Sequence, residues 1–235
     1  MDHAEPEEWI MSAGMQLEPA AVRLLEEAAE WRLLGLLFEY PSEQWRANVE
    51  SLLPNLAVAE LREVAKAALE QSSEGLHIAL FGPAGTVPVR EVTYRGGVQF
   101  GYLMAELSAY YGAFGYEPGV AEASDHLAVQ LGFVAFLKLK QAYAEIEGDQ
   151  EKALLTAAAI AEFLREHIAT QAEPVAQRMA EFGPEYLETV IRRVVAYVGP
   201  CPRSAYPLMA GEMDENEQEM SCGAAASDEL VQLEP

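Results

Sequence analysis

The stretch from Leu127 to Leu137 is apolar around nearly the whole circumference of any helix it forms, and this limits what the chain can fold into. At about 100° per residue, Leu127, Leu131 and Val134 make one stripe, Phe133 and Leu137 a second, and Val129 and Phe136 a third. A helix with no face suited to water belongs in the middle of a bundle. Yet this one opens on a charge and a titratable ring, Asp125 and His126. On one reading, Ser124 or Asp125 caps the helix by accepting a bond from a free backbone N–H, and the helix dipole favours an acid there. On the other, Asp125 and His126 offer an acceptor and a switchable donor beside apolar walls. That pairing suits a peptide that combines charge with hydrophobicity.

The rest of the chain repeats an amphipathic helical pattern. Val22, Leu25, Ala29, Leu33, Leu36 and Leu37 recur at helical spacing in a helix expected from about Leu17 to Tyr40, with Pro19 in its first turn and Pro41 stopping it. Ser42 caps a second helix to about Leu53, and a third runs from about Ala57 to Gln71. The Gly- and Pro-rich stretch 72–96 holds only a short helical piece, Leu76 to Phe81, and reads as a hinge or structured connection. Helical spacing resumes from about Gly97 to Tyr111, and the central helix runs to near Gly148. Further helices are expected at about Gln150 to Thr170, Pro174 to Phe182 and Pro184 to Val198. No segment alternates like a half-buried strand. The expected fold is all-α, a bundle of roughly eight to ten helices in one domain at 17–200. An acidic flexible arm at 1–16 and an acidic tail at 201–235, expected to be disordered or loosely docked, flank it.

Thirty-eight acids against 15 bases leave a formal charge of −23, which speaks against binding nucleic acid or anionic membrane surfaces. No run approaches the ~20 apolar residues of a membrane span. The start, MDHAEPEEWIM, is acidic where a secretory signal would be basic, so no export signal is expected. Cys201 and Cys222 are no disulfide framework and suit a reducing cytoplasm. LFGPAG and YRGG lack the spacing of a phosphate loop or dinucleotide fingerprint. His3, His77, His126 and His167 are dispersed without metal-ligand spacing, and no Ser or Cys sits in a nucleophile elbow. Neither catalysis nor a bound metal or cofactor is expected.

Glu122, Asp125, His126, Leu127 and Leu131 fall, without a gap, on a pattern of approximately Glu-Pro-x-Asp-His-Leu-x-x-Glu-Leu. In this the chain resembles the TorD/DmsD-type redox-enzyme maturation chaperones. It departs at Ala123, where that family usually has Pro, and at Gln130, where it often has Glu. Leu80-Phe81-Gly82-Pro83, followed by Pro88 and Tyr94, looks like the family's connection between helices. The similarity spans about residues 20 to 200.

The resemblance implies an all-helical cytoplasmic chaperone without a cofactor of its own. It would bind the apo catalytic subunit of a molybdopterin-containing oxidoreductase through its N-terminal twin-arginine peptide until the molybdenum cofactor is inserted. It further implies that Glu122 and Asp125 contact arginines, that His126 orients them, and that Tyr94, Leu127 and Phe81 line an apolar wall. A nitrate-reductase-type assembly chaperone for a non-exported client fits as well. From other classes, so do a helical hydrolase using His126 with Glu122 and Asp125, or an adaptor. Monomer and homodimer both remain open, and neither nucleic-acid binding nor stable membrane insertion is expected.

Overall fold

The computed structural model describes residues 17–96 and 99–199. In chain order these form α1 (Pro19–Leu36), α2 (Glu43–Leu52), α3 (Ala59–Gln71), α4 (Glu74–Phe81), α5 (Phe100–Phe114), α6 (Leu127–Glu147), α7 (Gln150–Phe163), α8 (Ala169–Phe182) and α9 (Glu185–Val198). The fold is an all-α bundle, as expected. Among the described residues the only sheet-like pairing is one isolated antiparallel bridge, Arg90 with His126. Residues 1–16 and 200–235, with the expected arm, tail, Cys201 and Cys222, lie outside the described part.

The centre of the bundle is α6, where every residue from Leu127 to Ala135 is buried. Its main partners are α1 and α7. The α1 packing is close because two glycines meet there. A Cβ added to Gly35 would lie 3.1 Å from the Ala128 carbonyl oxygen and 3.2 Å from the Gly132 nitrogen. Local signals set the ends of the elements. Ser42, Ser73 and Asp149 accept bonds from the backbone N–H groups of Trp45, Leu76 and Lys152. Gly148, at φ 72°, turns α6 directly into α7, and the Asp149 N–H returns to the Ala144 carbonyl at 2.9 Å.

Three expected boundaries change. The first helix stops at Leu36 rather than Tyr40, because the Leu36 carbonyl accepts the buried Trp45 indole N–H at 2.7 Å and the chain turns into α2. The fifth helix is shifted to Phe100–Phe114, ending on Gly115 in the left-handed region. Pro174 opens no new helix; it lies inside α8. From α7 to α8 the backbone runs on through a π-helical segment, Leu164–Ile168, where the Ala169 N–H donates to the Leu164 carbonyl. An interior proline costs about 3 kcal/mol. Burial of Ala172, Val175 and Met179 around it offsets that cost.

The stretch 82–96 is docked. Val87, Val89 and Glu91 are buried, and Glu91 begins a short 3-10 turn, Glu91–Thr93. Two backbone bonds fasten it to the entrance of α6: Glu91 N–H to the Asp125 carbonyl at 2.9 Å, and Leu127 N–H to the Val89 carbonyl at 2.8 Å.

Candidate functional site

The entrance of α6 is an ion pair and a cap built by two different residues. His126 is the cap: its Nδ1 accepts the Ala128 N–H at 3.2 Å. The expected capping by Ser124 or Asp125 is therefore corrected by one position. Asp125 is wholly buried and turned to the docked segment, where Oδ1 accepts from Arg90 Nε at 2.5 Å and Oδ2 from the Val92 N–H at 3.3 Å. The Ser124 carbonyl is held by the Tyr111 hydroxyl at 2.7 Å. Accepting a backbone N–H through Nδ1 requires that nitrogen to be unprotonated. Burial, then the neighbouring His77 and Arg90, drive the His126 pKa down to about 3. The ring is thus neutral at pH 7, and the 4.0 Å approach of Glu122 to His126 Nε2 is no ion pair.

Of the residues read as client contacts, Glu122 alone in this loop keeps an open side chain, 36 % exposed. Asp125 and Leu127 are fully buried and His126 nearly so, so in this arrangement they present little surface to a partner. Tyr94 is half-buried on the docked segment, its hydroxyl donating to the Pro88 carbonyl at 2.6 Å. Phe81 lies in another aromatic group, 5.7 Å from the Phe38 ring and 5.2 Å from His77.

Sequence reading missed the polar cluster behind the entrance. Glu91, Gln130, His167 and Gln171 are all buried within the bundle. Glu91 accepts from the Gln130 side-chain amide, its two oxygens each lie 3.1 Å from His167 Nδ1, and Arg95 Nε approaches it at 2.5 Å. Gln130 in turn accepts from Gln171 at 2.6 Å. The signal was faint: Arg90, Glu91 and Arg95 crowd one short apolar stretch, and Gln130 interrupts an otherwise apolar helix. Where the resembled family often has Glu, Gln130 here supplies the amide donor that a carboxylate facing Glu91 could not.

A family model described as Nitrate reductase delta subunit matches residues 43–176, more than half of the chain. The chain belongs to this family, the TorD-like redox-enzyme maturation proteins. Its members are chaperones of maturation rather than catalysts. No curated protein matches the sequence. Among solved structures, a proposed redox enzyme maturation protein from Archaeoglobus fulgidus is similar at 16 % identity, covering 80 % of this chain and 98 % of that one with a TM-score of 0.49. No helix among the described residues is long and apolar enough to cross a membrane.

Proposed function

We propose that this protein is a cytoplasmic maturation chaperone that holds the apo catalytic subunit of a molybdopterin-containing oxidoreductase by an N-terminal segment of that client. The observation that carries this reading is a set of three cavities that share Leu139: two of about 240 and 710 Å³ along α6, and one of about 580 Å³ between α1 and the α2–α3 connection. The first begins at Val120, Ala128 and Gly132, beside the loop that holds Glu122. The second ends at Tyr143, Ile146 and Leu155. Leu139, Tyr143 and Leu155 are 49 %, 62 % and 63 % exposed, and so many large apolar side chains left in water along one groove mark a binding surface.

From Ala128 to Glu147 the helix spans roughly 30 Å, enough for a short apolar helix or about nine extended residues of a client. Glu122, the part-exposed carboxylate two residues beyond Val120 in the loop beside the first cavity, takes the role of an arginine contact. Asp125, His126 and Leu127 act by holding the loop, and Tyr94 and Phe81 by packing the elements around it. The twin-arginine peptide of an exported enzyme has the matching chemistry, paired cations followed by an apolar run. The matched family's description is equally consistent with a second client, a nitrate-reductase-type subunit, for which we propose a non-exported enzyme.

Purification of the tagged chain from its native host, with bound proteins identified by mass spectrometry, tests the reading. A molybdopterin oxidoreductase subunit is expected. A twin-arginine leader on it supports the first client and its absence the second. The Leu139→Asp/Tyr143→Asp variant should lose the client while melting as wild type does. Retention of the client by that variant would sink the groove assignment.

A further inference from the structure

We propose that Glu106 of α5 together with Glu166 and His167 of the π segment bind a divalent transition-metal cation, zinc by preference. One ring nitrogen of His167 and one carboxylate oxygen from each glutamate lie within 4.8 Å of one another. The cluster differs from an ordinary acidic surface because its histidine is completely buried and its Nε2 has no protein hydrogen-bond partner.

The other ring nitrogen explains which form Nε2 takes. His167 Nδ1 lies 3.1 Å from both oxygens of the buried Glu91, while Arg95 Nη2 stands farther off at 3.4 Å. A carboxylate at that distance accepts a hydrogen bond from Nδ1–H, and in that tautomer of the neutral ring the free lone pair is at Nε2. Carboxylate, histidine and metal in line is the arrangement that fixes the tautomer of a ligating imidazole. Glu106 Oε2 is likewise buried without a hydrogen bond, with Arg95 Nη1 at 3.7 Å.

Charge points the same way. Glu91 and Glu106 both lie within ion-pair distance of the Arg95 guanidinium, which also donates to the Glu166 backbone carbonyl. Arg165 reaches Glu166 only from its solvent side and is itself 62 % exposed. One buried and one part-exposed carboxylate thus share the Arg95 cation, which leaves a net negative charge that a divalent ion can offset. One imidazole nitrogen and two carboxylate oxygens leave an open coordination position and suit zinc better than calcium or magnesium. Ligands about 2.0–2.2 Å from zinc sit roughly 3.5 Å apart, so the carboxylates must draw in by about 1 Å. Glu106 and Glu166, 28 % and 37 % exposed, are on helix surfaces where their side chains can turn. Widening at the π segment turns His167, Ile168 and Ala169 inward in succession, setting the ring against α5. Metal bound there ties α5 to the π segment.

The test uses the full chain with Cys201→Ser and Cys222→Ser, so that thiols cannot bind the probe, after stripping with a chelator. Zn²⁺ is titrated calorimetrically, and Co²⁺ by its visible absorption. Saturable binding of one ion per chain is expected, weakened about tenfold or more by Glu106→Gln and by Glu166→Gln. Glu162→Gln, a neighbouring surface acid, should leave it unchanged. Both ligand variants alter part-exposed side chains and keep the fold, so their effect does not depend on how well His167→Ala folds. Absence of saturable binding, or binding indifferent to Glu106→Gln and Glu166→Gln, overturns the site.

Discussion

Arg90 Nε and Asp125 Oδ1, 35 residues apart in sequence, meet at 2.5 Å and fix the docked 82–96 segment to the entrance of the central helix. The two ends of this contact differ in their access to water: Asp125 is fully buried, whereas the Arg90 side chain is 36 % exposed. The pair therefore belongs to the fold before it belongs to any client.

That asymmetry predicts unequal losses. Arg90→Ala strands a buried carboxylate and should cost about 3–5 kcal/mol. Asp125→Ala leaves a guanidinium that can turn to solvent, and should cost less, about 1–3 kcal/mol. Urea denaturation of the two variants measures both. The opposite order would mean that Asp125 is freer than its burial indicates.

Gln130→Glu should be strongly destabilising at neutral pH and partly rescued by acid. The new carboxylate would face Glu91, which now accepts the Gln130 amide. Like charges at that distance raise one of the two pKa values in the folded state. Above the raised value the pair repels; below it, one carboxyl is protonated and bonds to the other. The deficit relative to wild type, about 2–4 kcal/mol at pH 7, should thus shrink toward pH 5. Denaturation series at several pH values check this, and a deficit that does not change with pH counts against it.

His126 supplies a pH dependence of the opposite kind. Its folded pKa, about 3, lies below the ordinary 6.5, so between those values the unfolded chain holds a proton that the folded chain refuses. Its contribution is complete above 6.5 and is lost as pH falls, at up to ~1.4 kcal/mol per pH unit. His126→Asn keeps an acceptor at the cap and removes the proton. Between pH 7 and pH 5 the wild type should lose ~2 kcal/mol more than the variant. Parallel losses would show that the ring is not the group that titrates.

How much of this was legible follows from how far apart the interacting residues are. The central position of α6 was readable because Leu127, Val129, Leu131, Phe133 and Val134 are neighbours, and burial on every side is a local pattern. Caps were readable for the same reason at Ser42, within one turn of its partner. The one-residue error at the α6 cap arose because the partner that withdraws Asp125, Arg90, lies 35 residues away. Glu91 and His167 are 76 residues apart, and no periodicity pairs a lone acid in a Gly- and Pro-rich stretch with a lone histidine in a helix. Pro174 misled for another reason: its local cost is real, but the packing of Val175 and Met179 outweighs it. Of the signature residues, the sequence pattern located the loop, while burial separates Glu122, which is open, from Asp125 and Leu127, which are not.

Two glycine substitutions should change stability in opposite directions, although both place alanine in a helix. At Gly112, on the exposed face of α5, an added Cβ meets nothing within 4 Å, so Gly112→Ala should gain up to about 1 kcal/mol from helix propensity. At Gly35 the same gain opposes a steric cost, because the new Cβ would stand 3.1 Å from the Ala128 carbonyl oxygen and 3.2 Å from the Gly132 nitrogen. Both are backbone atoms of α6, so relief requires α1 and α6 to move apart along their most extensive contact. Overpacking of this kind costs about 1–3 kcal/mol, and Gly35→Ala should be destabilising on balance. Thermal melts of the two variants measure the difference. If Gly35→Ala also raised Tm, the α1–α6 approach would have to be looser than the glycine contact implies, and the groove walls along Leu139 would be free to shift with it.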